Sequence, residues 1–178
     1  MTKIHDLKSY TIKEGDKFFF DTNIWMYMHC SIGSYNEKIV QEYSEFYQKV
    51  KTSNNPILTS TLLLSEFINA YSRLEFNIIK KRDGLRDFKR DFRDKEKYQD
   101  IFENINLLTK RKLLSGTTRI QDMFESFEEE AFFGNSHTYD FNDEYYCYLA
   151  EKKGFKIVTN DSDFLKSNYD IEIITRQI

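Results

Sequence analysis

The sequence predicts an α/β fold: three layers, α/β/α, around a central and mostly parallel sheet of four or five strands. Two strings carry most of that prediction. FFFDTNIW (18–25) and KIVTNDSDF (156–164) are short apolar runs that end abruptly in acidic and small polar residues. Such runs read as buried strands, and open α/β sheets place their sites just beyond the strand ends. The third observation is rhythm. Strand, helix, strand, helix with short connections is the signature of parallel βαβ units.

The elements follow in order. Residues 18–20 form a strand. Tyr35–Lys51 reads as a helix opened by a Ser34–Glu37 capping box, with Ile39, Tyr43, Phe46, Tyr47 and Val50 on one face. Asn54, Asn55 and Pro56 break the chain, Ile57–Thr59 is a strand, and Ser60 or Thr61 caps a helix through about Phe76. From about Asn77 to Gly134 the pattern is helical throughout, with a helix over Arg119–Glu130 whose inner face is Ile120, Met123, Phe124 and Phe127. A helix over Asn142–Lys153 is stopped by Gly154, and Phe155–Thr159 is a strand. A short helix near Asp161 and a last strand, Ile171–Thr175, complete the chain.

Composition bounds the function. The 178 residues suit one domain, 1–178, with 1–17 as an N-terminal extension and about 77–135 as a helical insertion. No apolar run approaches the roughly 18 residues of a membrane span, and the polar start lacks a signal-peptide core, so no membrane partner and a cytoplasmic location are expected. Cys30 and Cys147 make neither a metal spacing nor a disulfide framework. The net charge of −3 disfavours nucleic acid only weakly, since sequestering four carboxylates would reverse its sign.

Four acids stand where elements would deliver them to one edge. Asp21 and Asp161 follow strands, Glu66 lies in the otherwise apolar LLLSEFINAY, and Asp143 opens the helix before the fourth strand. Carboxylates repel, so their convergence calls for a cation, and hard oxygens suit Mg²⁺ or Mn²⁺. Each acid also has a structural reading. Asp21 or Asn23 could cap a helix, Asp140 with Asp143 makes an N-cap pair, and TNDSDF could be a turn. Glu66 resists that reading, because an acid buried without a partner is costly.

DTNIW, the isolated Glu66, and FNDEYYCYLAEKKGFKIVTNDSDF together resemble a PIN-domain ribonuclease of the VapC toxin type. Asp21, Thr22 and Asn23 match the first motif, and Glu66 the second acid. Asp143, sixteen residues before Thr159, matches the third; Thr159, Asp161, Asp163 and Phe164 match the last string. The resemblance covers roughly residues 17–76 and 136–176. It implies metal-dependent hydrolysis of RNA, with Asp21, Glu66, Asp143 and Asp161 as catalytic ligands and Asp163 as a further ligand or a helix cap. Asn23 and Thr159 would orient these carboxylates, with Asp140 accessory at most. It also implies an antitoxin protein partner and a homodimer, with helices 35–51 and 61–76 as candidate surfaces.

The run 80–97 holds nine basic and five acidic side chains. It reads as a solvated face with Asp87–Arg90 and Asp91–Lys95 pairs; an RNA groove built from Lys80, Lys81, Arg82, Arg86, Lys89, Arg90 and Arg93, or an interface with a protein inhibitor or second subunit, are the weaker alternatives. His5, His29 and His137 are scattered. Haloacid-dehalogenase phosphatases need an acid where Asn23 stands, and response-regulator receivers need an acid pair before the modified Asp. The alternative from another class is a PIN-like module that binds RNA or protein without turnover.

Overall fold

A computed structural model describes residues 1–135 and 140–178, so His137 lies outside the described residues. Among these, β1 (Lys3–Asp6), β2 (Phe18–Phe20), β3 (Ile57–Thr59), β4 (Thr118–Arg119), β5 (Lys156–Val158) and β6 (Glu172–Thr175) form one six-stranded sheet. The order is β1-β6-β5-β2-β3-β4, and every neighbouring pair is parallel. Six helices accompany it: α1 (Thr22–His29), α2 (Glu37–Thr52), α3 (Thr61–Asp83), α4 (Gln99–Leu108), α5 (Glu129–Asn135) and α6 (Phe141–Lys153).

The three phenylalanines of β2 show why the sheet is covered on both sides. All are fully buried. Side chains alternate across a strand, so Phe18 and Phe20 meet Phe46 of α2, at centroid distances of 5.9 and 6.2 Å. Phe19 points the other way, onto Tyr146 of α6 at 4.8 Å and Phe155 at 5.3 Å. One helix layer therefore packs on each face. A strand buried on both sides has no polar positions to alternate, which is why β2 reads as an unbroken apolar run.

Several sequence expectations need correction. The cap of α2 is Asn36, whose side chain accepts from the Lys38 and Ile39 amides at 3.0 and 3.3 Å, in place of the Ser34–Glu37 box. Helix α3 continues past Phe76 to Asp83, because Phe76 and Ile79 bury themselves against Phe92 and Tyr98 in a second, smaller apolar cluster. Gly84, at φ +67°, then ends it in the left-handed conformation that glycine adopts at least cost.

The segment 77–135 is not helical throughout. No helix forms over Arg119–Glu130: Thr118 and Arg119 pair with β3 as an edge strand, and the Ile120 amide donates to the Thr59 carbonyl at 2.9 Å. Met123 sits at φ +67° and only a 3₁₀ turn follows, Phe124–Ser126. Ile120, Met123 and Phe127 still pack on the core, while Phe124 is exposed. Apolar spacing marked the inward residues but not the backbone that carries them.

The N-terminal stretch is likewise part of the sheet, since β1 pairs with β6 along its length and Leu7 is buried. A polar cluster fastens it. Lys156 reaches Glu172 at 2.5 Å and Asp16 at 3.5 Å, His5 meets Glu172 at 2.8 Å, and the Tyr10 hydroxyl donates to Asp16 at 2.7 Å. Cys30 and Cys147 are buried free thiols. No helix of the described residues is long and apolar enough to cross a membrane.

Replacing Phe19 with Ala should lower stability by about 3–5 kcal/mol, since a ring is lost from a position packed on all sides. Phe124→Ala, at a site 69% exposed, should change it by no more than about 0.5 kcal/mol. Denaturant titrations of the two variants check the contrast.

Candidate active site

The site grows from the carboxyl ends of β2 and β5. Strand β2 stops at Phe20, and the Asp21 amide continues the ladder by donating to the Val158 carbonyl at 3.0 Å. Asp21 caps α1, its Oδ1 accepting from the Thr22 amide at 2.6 Å. The capping reading of this residue is therefore correct, and it does not compete with a place in the site. Its Oδ2 faces back across the sheet, accepting from the Thr159 hydroxyl at 2.7 Å and from Asn23 Nδ2 at 2.5 Å. Thr159 Oγ1 in turn accepts from the Asp161 amide at 2.9 Å. One hydroxyl thus joins the two acids that end β2 and β5.

Glu66 sits in α3, beyond the end of β3, and is held by three donors from two other helices. Thr22 Oγ1 donates at 2.9 Å, Asn142 Nδ2 at 2.6 Å, and the Tyr146 hydroxyl donates to the same oxygen as Thr22. Burial and the Glu66 charge together push the Tyr146 phenol pKa up, so it stays a donor. Asn142 and Tyr146 escaped the sequence reading. The available signal was their spacing, four apart on α6 and flanking Asp143, which sets both on one helical face.

Asp140 is the N-cap of α6, accepting from the Asn142 and Asp143 amides at 2.9 and 3.4 Å, as the helix-start reading had it. Asp143 stands in the first turn, partly buried, and no described residue donates a hydrogen bond to its carboxylate. Its pKa is pushed up to about 8, first by burial and then by repulsion from Asp21, Asp140, Asp161 and Glu66. Asp21, 5% exposed, is pushed up to about 7 by burial, against which the Thr159 hydrogen bond works, with Glu66 and Asp161 raising it further. Four segments distant in sequence therefore set their acids in one another's field.

Asp163 is not drawn in. Its amide donates to Asp161 Oδ1, and its carboxylate pairs with Lys166 at 2.7 Å. The basic run is also quieter than its composition suggests. Arg82, Arg90 and Arg93 each bind the adjacent aspartate, at 2.7, 2.8 and 2.9 Å, and Lys80 lies over the Phe76 ring. The expected Asp87–Arg90 and Asp91–Lys95 pairs are absent, because a π-helical turn over Lys89–Arg93 replaces the regular helix that would align them. Asp87 accepts the Arg90 amide instead. Among the described residues Lys81, Arg86 and Lys89 form no ion pair, and none of them is among the charges that act on Asp143.

The model of the PIN domain family matches residues 18–168. The chain belongs to the PIN domain family. Among solved structures, a chain in the crystal structure of VapBC2 from Rickettsia felis bound to a DNA fragment from their promoter is similar in fold, with a TM-score of 0.54. Identity is 16%, over 89% of this chain and 98% of that chain. No curated protein sequence matches. The PIN match begins at β2, so β1 lies outside it, whereas the segment 77–135 lies within its span.

As donors, Asp21, Glu66, Asp143 and Asp161 fit a hard divalent cation: all are carboxylate oxygens, and two are held back from ionising, first by burial and then by the neighbouring acids. As placed, no three His, Cys, Asp or Glu side chains among the described residues converge tightly enough to hold an ion.

The raised pKa of Asp143 has a stability consequence. The unfolded carboxyl titrates near about 3.9, so between about pH 4 and 8 the metal-free native state binds the extra proton and loses stability as pH rises. Asp143→Asn should therefore raise the metal-free Tm most at pH 8 and above, with the gain vanishing near pH 4. Thermal melts of both proteins across that range, in chelator, check it.

Proposed function

We propose that this PIN domain is a metal-dependent endoribonuclease that hydrolyses RNA phosphodiester bonds, and that it serves as the toxin of a toxin–antitoxin pair. One observation carries the catalytic half: the Asp143 carboxyl, raised to about 8 by burial and then by four other acids, in a PIN-family chain with a parallel sheet. The likeness to a VapBC2 chain supports the second half, which includes an antitoxin protein partner. The reading also takes the protein to be a homodimer and cytoplasmic.

Two Mg²⁺ or Mn²⁺ ions, when bound, would activate the attacking water and stabilise the leaving oxygen of an in-line displacement. The residues supply the rest. Asp21 is the fixed member, its carboxylate oriented by Thr22, Asn23 and Thr159. The Asp161 backbone amide donates to the same threonine hydroxyl, and its carboxylate accepts the Asp163 amide. Glu66 is oriented by Thr22, Asn142 and Tyr146, whose hydrogen bonds hold it toward the cluster. Asp143, to whose carboxylate no described residue donates, would complete the set.

The second reading, a PIN module that binds without turnover, is favoured by the lack of a tight three-ligand set among the described residues. Incubating a mixed RNA pool with the protein and Mg²⁺ or Mn²⁺ separates the two. Cleavage should disappear in EDTA and fall by at least about 100-fold in Asp143→Asn; Asp21→Asn should fall at least as far. Metal-dependent cleavage that survives both substitutions would overturn the mechanism, and a wild type inert on every RNA would favour the binding module. Because carboxylates must lose protons to hold a cation, ion affinity and rate should rise with pH through about 7 to 8.

A further inference from the structure

Thr159 carries the hydroxyl that joins the ends of β2 and β5, donating to Asp21 and accepting from the Asp161 amide. The corner of chain that holds it, Thr159–Asn160, is itself held at every backbone polar group. The Thr159 amide donates to the Ile174 carbonyl of β6 at 3.1 Å, and the Thr159 carbonyl accepts from the Tyr43 hydroxyl at 2.7 Å. The Asn160 amide donates to Asn23 Oδ1 at 3.4 Å, and the Asn160 carbonyl accepts from Gln177 Nε2. The bond from Asn160 also orients Asn23: with its oxygen turned to that amide, its Nδ2 faces Asp21.

Tyr43 is the buried member of this set. It lies on α2, far from the acids in sequence, and its side chain is fully buried. Its hydroxyl also accepts from the Arg176 amide at 3.3 Å. One oxygen thus ties the chain beyond β5 to the chain beyond β6, just past the end of the ladder between them. Arg176 is fixed a second time by Glu42, the neighbour of Tyr43, at 2.9 Å, and the other oxygen of Glu42 meets Lys8 at 3.1 Å. Lys8, Arg176 and Gln177 all lie outside residues 18–168, the span matched by the PIN family model. Segments beyond that span therefore bear on the site through α2. A buried carbonyl that loses its donor has no water to replace it, so the hydroxyl of Tyr43 is costly to remove.

We propose that Tyr43 is a positioning residue for the site: its hydroxyl, together with Arg176 and Gln177, fixes the Thr159–Asn160 corner so that Asp21 and Asp161 are set for a divalent cation. This rests on the metal-dependent reading above. Tyr43 acts through Thr159 and, by way of Asn160, through Asn23. Partners that orient metal ligands typically contribute roughly 10–100-fold to ion affinity.

Tyr43→Phe removes the hydroxyl and keeps the ring. Tyr47→Phe is the matched control, since Tyr47 lies one turn on in the same helix, is also buried, and makes no bond to the corner among the described residues. Gln177→Ala alters only an exposed side chain. Calorimetric titration of the metal-free proteins with Mn²⁺ should show about a tenfold loss of affinity in Tyr43→Phe, about threefold in Gln177→Ala, and less than about twofold in Tyr47→Phe. In chelator, with no ion present, the Asp161 amide of Tyr43→Phe should exchange its hydrogen at least about tenfold faster, over and above any change at the Phe19 amide in the core. An Asp161 amide no faster than in wild type, wild-type Mn²⁺ affinity in Tyr43→Phe, or equal losses in Tyr43→Phe and Tyr47→Phe would each overturn the positioning role and leave the nuclease reading intact. If Tyr43→Phe does not fold, a weakened Gln177→Ala upholds the role and an unchanged one overturns it. A Tyr43-dependent Mn²⁺ affinity in a protein whose wild type cuts no RNA would uphold the role and overturn only the nuclease reading. A wild type that binds no Mn²⁺ would overturn both.

Discussion

Asp21 is a carboxylate kept out of water at the end of the most completely buried strand of the sheet, and much of the molecule is arranged around that fact. A buried acid is tolerable only with donors of its own, and Asp21 has three, from the Thr22 amide, Asn23 and Thr159. Thr159 can donate only because Phe20 lies opposite Val158 in the parallel ladder. A slip of one residue between β2 and β5 would turn the hydroxyl to the other face of the sheet. Core register and site geometry are therefore a single requirement, met by the same pairing.

A second knot lies at Glu66, where side chains of α1 and α6 converge on α3 through Thr22, Asn142 and Tyr146. Thr22 belongs to both knots, its amide serving Asp21 and its hydroxyl Glu66. What these bonds leave uncompensated is Asp143, which meets the charge of the other acids with no donor among the described residues. The site is thus rigid on the side of the sheet and electrostatically strained on the side of α6. On the proposed metal-dependent reading, a bound cation would relieve that strain.

Much of this was legible from residues alone. β2, β3 and β5 announce themselves as unbroken apolar runs because both faces of the sheet are covered, and Gly154 marks the end of α6 because that turn needs a left-handed residue. The acids at 21, 66, 143 and 161 stood out for the same reason in reverse: charge placed where burial is expected. Asp163 shared the motif but not the environment, since Lys166 three residues on satisfies it at the surface.

By itself, then, the sequence determined which strands fill the centre and which acids reach their ends, because burial on both faces leaves its mark in local composition. Tertiary structure alone decided the rest. β1 and β4 are edge strands with mainly exposed or half-exposed side chains, and nothing local distinguishes such a segment from a loop until a partner strand accepts its hydrogen bonds. Arg119 to Glu130 kept its inward residues but lost its predicted helix, since the sheet edge offered Thr118 and Arg119 a ladder. The donors on Glu66 come from positions 22, 142 and 146 and depend on how α1 and α6 lie against α3. Such contacts join residues far apart in the chain, and only packing brings them within bonding distance.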